Sequence, residues 1–251
     1  MIRTFCAFIL IGLTTSASAQ KQVIEHDPGK FYSKNANEFI FSWGNVNDDS
    51  SHVNGFGGAV INATPVVRFS AFFNSQEQLH YDFNRTFGFY TGIGIRNIGF
   101  INNFGDSIKI KQRQYALGVP LALKIGSLKK GVYLALGGEL ELFFNYKQKV
   151  FYNNSKQKFS EWFSTRNSEL LHPSVFAELN FKQGQYIRFR YYLTDFLKEN
   201  TKGVNYLGNE RTLPYDFKPS TLMYISIGTA IDWDDMKKSK NKSSNLKASL
   251  N

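Results

Sequence analysis

Strict alternation of large apolar residues with small or polar ones runs through two neighbouring segments of this chain. From Tyr115 to Ile125 every odd position is apolar, and from Val132 to Phe144 the even positions follow the same rule apart from Gly138. A period of two is that of a β-strand, but ordinary strands are only about five or six residues long. The alternation therefore predicts strands that cross a bilayer with one face in lipid and the other in a polar lumen.

The first nineteen residues have the three parts of a secretory signal peptide. Arg3 supplies the positive charge, residues 5–13 form the apolar run, and Ala17-Ser18-Ala19 precedes a cleavage site before Gln20. The only cysteine, Cys6, lies inside this segment. We therefore expect a mature chain without disulfides or thiol chemistry.

Composition limits the remaining classes. After residues 1–19 there is no stretch of eighteen apolar residues, so no membrane-spanning helix is expected. The net charge is +10, but there is neither a basic helix nor an RNA-binding aromatic pattern, and we expect no nucleic-acid partner. Anionic lipid headgroups or surface polysaccharide also attract Lys and Arg. Mean hydropathy is only −0.31, which suits a barrel whose inward face is polar.

Alternating segments and connectors predict an all-β fold, an eight-stranded antiparallel up-and-down transmembrane β-barrel. The predicted strands are 37–45, 64–73, 82–101, 113–125, 132–145, 174–182, 185–197 and 220–233. Long connectors at 46–63, 102–109, 146–173 and 198–219 alternate with short ones, as expected for outer loops and periplasmic turns.

Residues 20–36 are predicted to form a periplasmic lead, 37–233 the barrel, and 234–251 a Lys- and Ser-rich disordered tail. A belt of aromatic residues at the strand ends is predicted to include Trp43, Phe73, Tyr146, Tyr191, Tyr192 and Trp233.

Charged residues occupy the predicted inward positions of several strands. Eight strands enclose an interior that side chains can fill, and charges buried there need partners. The expected lumen ion-pair network comprises Arg68, Arg96, Lys124, Glu139, Glu141, Glu178, Arg188 and Arg190. One interpretation is a structural plug that blocks leakage, and the other is a gate or a narrow anion path.

Few residues suggest catalysis. The four histidines have no metal-ligand spacing, so neither a metal nor a cofactor is expected. His172-Pro173-Ser174, with Glu178 behind it, resembles the His-x-Ser element of outer-membrane lipid A deacylases, which implies an acyl hydrolase as an alternative. The resemblance covers three residues, Val175 stands where those enzymes have Asn, and the even positions are predicted to face inward. The other interpretation is a loop-end histidine before a strand that starts at a proline.

The third long connector is basic. Lys147, Lys149, Lys156 and Lys158 alternate there with Phe151, Tyr152, Phe159 and Trp162. These residues either form a solvated loop or clamp an anionic sugar or a lipid A phosphate.

Four strand motifs carry a resemblance to the outer-membrane β-barrel family that includes PorT-like and small porin-family proteins. The motifs are Tyr90-Thr-Gly-Ile-Gly-Ile-Arg96, Tyr115-Ala-Leu-Gly-Val-Pro-Leu-Ala-Leu-Lys124, Gly137-Gly-Glu139 and Arg188-Phe-Arg-Tyr-Tyr-Leu-Thr-Asp195. The resemblance implies an outer-membrane location and no catalytic signature; PorT itself serves a surface-secretion system. The Lys-rich end departs from the family, whose barrels usually finish on an aromatic residue.

These observations leave three hypotheses for function. The first is a non-enzymatic structural, adhesive or secretion-accessory role through the outer loops of a barrel with a filled polar lumen. The alternatives are a lipid A acyl hydrolase and a narrow solute channel. Expected partners are outer-membrane lipid and lipopolysaccharide, the barrel-assembly machinery and a surface or secretion partner. A soluble ligand-binding barrel would need the apolar face inside, against the charged inward set.

Overall fold

A computed structural model describes residues 28–46, 63–104, 108–198, 201–204, 210–212 and 220–232. The predicted signal peptide, most of the lead, the C-terminal tail and Trp233 lie outside these residues. No helix within the described ranges is long and apolar enough to cross a membrane.

The described chain is almost entirely β-structure. Its strands are β1 (Phe31–Val46), β2 (Ala63–Val66), β3 (Arg68–Ser70), β4 (Ser75–Asp82), β5 (Phe87–Phe104), β6 (Ile108–Ser127), β7 (Val132–Tyr152), β8 (Ser155–Trp162), β9 (Leu171–Asn180), β10 (Gln185–Tyr192), β11 (Lys202–Val204), β12 (Glu210–Thr212) and β13 (Ser220–Asp232). Two short 3-10 turns, Leu128–Lys130 and Lys182–Gly184, join β6 to β7 and β9 to β10.

Eight strands close into a ring, which confirms the predicted fold class. The order is β1, β4, β5, β6, β7, β9, β10 and β13, and β13 pairs antiparallel with β1. Every neighbour in the ring is also the next ring strand along the chain, so the barrel is an up-and-down meander. The short β2 and β3 continue the course of β4 and pair with β5 and β1, respectively. Because the ring is closed, it leaves no strand edge unpaired.

The central strands are much longer than the others. β5 has 18 residues, β6 has 20 and β7 has 21. Their paired ends extend beyond the ring, where β8 folds back on β7 from Tyr152–Ser155 to Asn145–Trp162. We call the end of the barrel that carries these extensions the outer end, and the end with the short turns the inner end.

Several strand limits differ from the sequence predictions. β1 begins at Phe31, so the last residues of the predicted lead belong to the sheet. Residues 74–81, the short connector implied between the predicted strands 64–73 and 82–101, are instead mostly β4, and the turn falls at residues 83–86. This strand has Gln76, Gln78 and His80 on its buried face, and so lacked the apolar alternation that marks the others. The predicted loop 146–173 is mostly the β7–β8 hairpin.

A β-bulge in β7 corrects part of the predicted aromatic belt. Tyr115 pairs with Asn145 and Ala116 with Phe143, so Phe144 is the extra residue. A bulge shifts the side-chain alternation by one position, and Tyr146 therefore points inward, where its hydroxyl accepts a hydrogen bond from Gln112 at 3.1 Å. Tyr192 is also buried and bonded to Glu141. Phe73 and Tyr191 face outward as predicted.

Candidate functional site: a filled lumen and a banded outer surface

Large apolar side chains cover the outside of the ring on every strand. Leu121 and Leu123 of β6 are 62% and 68% exposed. Each strand of the ring, and β3, contributes such residues. One example from each strand, in chain order, is given by Phe39, Phe69, Leu79, Ile93, Leu121, Leu136, Val175, Ile187 and Ile227. A continuous apolar surface of this kind is far beyond the patches of a few hundred Å² that soluble monomers tolerate.

Aromatic side chains border this apolar band at both ends. Towards the outer end, the Tyr115 ring centroid lies 5.9 Å from that of Phe73 and 6.2 Å from that of Phe144, which lies 5.9 Å from that of Trp162. We call these four residues the outer belt. Towards the inner end, Phe31, Tyr81, Phe83 and Phe89 form a second chain of ring contacts between 4.8 and 5.7 Å. Paired aromatic belts mark the two interfaces of a bilayer.

The outward chemistry of β6 changes abruptly at the outer belt. Every outward residue from Leu117 to Ile125 is aliphatic, whereas Lys109, Lys111 and Arg113 occupy the same face on the other side of Tyr115. Ten residues separate Tyr115 from Ile125, which in a tilted strand is a height of roughly 25 Å, the thickness of the apolar band of known membrane barrels. The change falls next to the bulge, where Tyr115 and Ala116 pair with Asn145 and Phe143. Aliphatic residues on one side of the belt and cations on the other match hydrocarbon on one side and the headgroup region on the other.

Inside the ring, three arginines and four glutamates form one buried ion network. Arg96 Nε lies 2.8 Å from Glu38 Oε1, and its NH1 lies 3.0 Å from Glu141 Oε1 and also pairs with Glu139. Arg190 binds the same two carboxylates from β10. Arg188 pairs with Glu178 and reaches Glu38 at 3.3 Å. All seven side chains are 6% exposed or less.

Neighbouring groups complete this network. The hydroxyl of Ser226 donates to Glu38 Oε2 at 2.6 Å, and Tyr192 donates to Glu141. Gly118 faces Glu139, and a Cβ at that position would collide with the carboxylate. Buried charges are tolerated only when paired and hydrogen-bonded in this way.

The sequence prediction missed Glu38, although alternation with Phe39 and Phe41 places it on the inward face. Lys124, which the prediction included, lies apart from the network towards the inner end. It pairs there with Asp82, which was also missed, donates to Tyr32 Oη at 3.0 Å and contacts His80 at 3.2 Å. Arg68 also lies apart: it donates to the backbone and side-chain oxygens of Asn97 at 3.0 and 2.6 Å, in the space between β3 and β5.

Towards the outer end the interior holds a large apolar cluster beside buried amides such as Gln112, Asn145 and Gln148, so the lumen is not polar throughout as predicted. Buried side chains pack together there, namely Ile40, Ile98, Phe100, Phe104, Ile108, Ile110, Phe143, Tyr146, Val150, Tyr192, Phe196, Leu197, Val204, Leu222 and Tyr224, with Ala116 among them. Phe196 and Leu197 come from the segment after β10, which folds into the barrel mouth. Their backbone N–H groups donate to Ser220 at 2.9 Å.

The three residues of the alternative catalytic site are all buried, but they have separate partners. The His172 ring lies 2.9 Å from Ser168 Oγ and 2.8 Å from Thr194 Oγ1. Ser174 Oγ donates to the Glu139 carbonyl at 3.3 Å and accepts from Arg190 at 3.2 Å. Because Glu178 pairs with Arg188, the arrangement contains no Ser–His–carboxylate relay of the kind that activates a nucleophile.

No group of three or more His, Cys, Asp or Glu side chains in the described ranges could hold a metal ion. A groove of about 300 Å³ lies beside the outer belt. Phe69, Phe72, Lys111, Arg113, Lys147 and Lys149 are among the residues that line it.

The closed ring, the apolar band and its two aromatic belts define the class as a transmembrane β-barrel. No family model and no curated protein matches the chain. Solved structures similar to it include Ail of Yersinia pestis (13% identity, TM-score 0.36), Neisserial surface protein A (12%, 0.35) and OprG of Pseudomonas aeruginosa (13%, 0.33). These alignments cover 81%, 81% and 84% of this chain and 99%, 97% and 99% of the other. Identities of this size say nothing about a shared function.

Proposed function

We propose that this chain is an outer-membrane protein of a Gram-negative envelope whose barrel does not conduct solutes. Its role is structural, adhesive or secretion-accessory, and it is carried by the surface at the outer end. The secretion-accessory version follows from the resemblance of its strand motifs to PorT-like barrels. Its partners in this proposal are outer-membrane lipid and lipopolysaccharide, the barrel-assembly machinery during insertion, and a surface or secretion partner afterwards.

The observation that carries the proposal is the combination of an apolar outer band with a filled lumen. A signal peptide at residues 1–19 would deliver the chain to the envelope, where closed barrels insert into the outer membrane. The lumen contains three successive layers of buried side chains: the Lys124–Asp82 pair, the arginine–glutamate network and the apolar cluster. An eight-stranded ring leaves little room beyond what such side chains occupy.

A conductance measurement tests whether the barrel is closed to solutes. We expect the purified protein, reconstituted in a planar bilayer, to give no discrete current above the lipid baseline, because solutes would have to displace all three layers. Migration on a gel that differs between unboiled and boiled samples serves as the control that the barrel is folded and inserted. Opening events that disappear in Arg188→Ala would instead identify the arginine–glutamate network as an anion path.

The acyl hydrolase alternative has its own test. Ser174→Ala is expected to leave the lipid A acyl chains of the host unchanged, because Ser174 binds the Glu139 carbonyl and Arg190 rather than a histidine. Mass spectrometry of lipid A from cells that express either form is the measurement. Loss of one acyl chain in the presence of the original protein, and its retention with Ser174→Ala, would establish an enzyme.

A further inference from the structure

A cluster of cations faces outward immediately beyond the outer belt. Its members come from three adjacent strands and are Lys109, Lys111, Arg113, Lys147, Lys149, Lys156 and Lys158. We call them the cationic face. The remaining outward positions of these segments are Phe151 and Ser160, so no acidic residue interrupts the face. No ion pair links any of its members to a carboxylate within the part of the chain that the structure describes.

The strand register places like charges directly opposite one another. Lys111 pairs with Lys149, Arg113 with Lys147, and Lys149 with Lys158. Like charges at paired positions destabilise a sheet. Burial, and then the neighbouring cations Lys109 and Arg68, lowers the pKa of Lys111; burial followed by Arg113 and Lys156 lowers that of Lys149. A bound anion would relieve this repulsion.

Aromatic rings contact four of these cations. Lys147 Nζ lies 4.9 Å from the Tyr115 ring centroid, and the Arg113 guanidinium lies 5.8 Å from it. Lys111 and Lys156 lie 5.2 and 5.7 Å from the Phe151 ring. Arg113 and Lys147 therefore lie at the level where the headgroups of the outer leaflet begin, because Tyr115 belongs to the belt that borders the apolar band. Lys111 and Lys156 lie farther out, since Phe151 pairs with Lys109.

The groove of about 300 Å³ joins the cationic face to apolar surface. Lys111, Arg113, Lys147 and Lys149 line one part, and Phe69, Ala71 and Phe72 line another. Phe72 is 77% exposed, while the guanidinium of Arg68 is buried beside Asn97 in the lining. A ligand that fits such a groove has anionic groups that pair with the cations and a hydrocarbon part that packs against the phenylalanines.

From these features we infer that the cationic face and its groove bind the phosphate groups of a phosphorylated glycolipid in the outer leaflet. The inference rests on the proposed function, since the face must lie at the outer membrane surface. It deepens that function by assigning the lipid class and the residues that recognise it. Arg matches phosphate with its planar fork of donors and Lys binds it as a point charge, and in this inference the exposed phenylalanines contact the first carbons of the acyl chains.

The test compares Lys111→Gln/Lys149→Gln with the matched control Lys130→Gln/Lys182→Gln. The control removes the same charge from exposed lysines in the inner-end turns. Each protein is folded in mixed micelles that contain rising mole fractions of diphosphorylated lipid A or of its dephosphorylated form, and bound lipid is counted by native mass spectrometry. Each lysine near an anionic surface contributes about fivefold in affinity, so we expect a loss of about 25-fold in the double variant and less than about twofold in the control.

Four outcomes would contradict one or other of these proposals. Equal binding of both lipid forms by the unaltered protein, or unchanged binding by the Lys111/Lys149 variant while it still migrates as a folded barrel, would overturn the lipid inference and leave the barrel proposal intact. Full displacement of lipid A by inorganic pyrophosphate at an equal phosphate concentration would also overturn it, in favour of a soluble anion. Failure of the unaltered protein to fold in any lipid or detergent would instead contradict the proposed function.

Discussion

Arg96→Ala is expected to destabilise the barrel by about 3–5 kcal/mol, the cost of removing one partner from a buried ion pair. Arg96 binds Glu38, Glu139 and Glu141 together. Its loss leaves four buried carboxylates with two arginines, so the stranded negative charge accounts for most of the cost. Denaturant titration of the protein folded in zwitterionic vesicles, followed by tryptophan fluorescence, measures the change in the free energy of unfolding.

Two further variants show that charge is the cause. Arg166→Ala removes an exposed arginine and should change stability by less than about 0.5 kcal/mol. Arg96→Ala combined with Glu139→Gln should recover part of the loss, because it also removes one of the surplus negative charges and leaves Arg190 paired with Glu141. If Arg96→Ala costs less than about 1 kcal/mol, water fills the lumen and the network is not a tightly packed plug.

Leu121→Arg should cost about 2–4 kcal/mol, the penalty for a cation at the midplane of a bilayer on the lipid face of a barrel. Leu121 lies near the middle of the stretch from Tyr115 of the outer belt to Ile125. Ile125 pairs with Phe87, near the aromatic contacts of Phe31, Tyr81, Phe83 and Phe89 at the inner end. In a soluble barrel the same exposed position would accept arginine almost without cost. The measurement is again the free energy of unfolding in lipid vesicles.

The matched control is Ile125→Arg, on the same strand and face but near the interface, where the penalty falls to about 0–1 kcal/mol. The depth dependence is the diagnostic quantity, because a general effect of arginine on strand packing would be similar at both sites. Equal costs at Leu121 and Ile125, both below about 1 kcal/mol, would show that this face does not contact hydrocarbon.

The strands that face lipid were predictable from the sequence because hydrocarbon on one side imposes a period of two. β6 from Tyr115 onward and the first half of β7 follow that rule apart from Gly138, and their predicted inward and outward faces are confirmed. β4 was not predicted from the sequence because both of its faces carry polar residues, among them Glu77 and Gln78. A polar strand and a polar connector look alike until pairing with neighbours is known.

Other features depend on contacts that no local pattern encodes. The bulge at Phe144 turns Tyr146 inward, and nothing in the neighbouring residues marks Phe144 as the extra position. The pairing of Glu38 with Arg188 joins residues 150 positions apart. The apolar filling of the outer end depends on Phe196 and Leu197 folding back into the mouth, whereas alternation had predicted them as a strand end.

The pairing of β1 with β13 has a consequence for how the molecule assembles. Thirteen residue pairs, from Lys34–Asp232 to Val46–Ser220, join the first ring strand to the last. Until β13 arrives, β1 and β10 each expose a row of unsatisfied backbone N–H and C=O groups, which hydrocarbon penalises by several kcal/mol per group. Partly inserted intermediates are therefore costly, so the chain must enter the membrane in a single cooperative step or be sheltered by another protein until the seam closes.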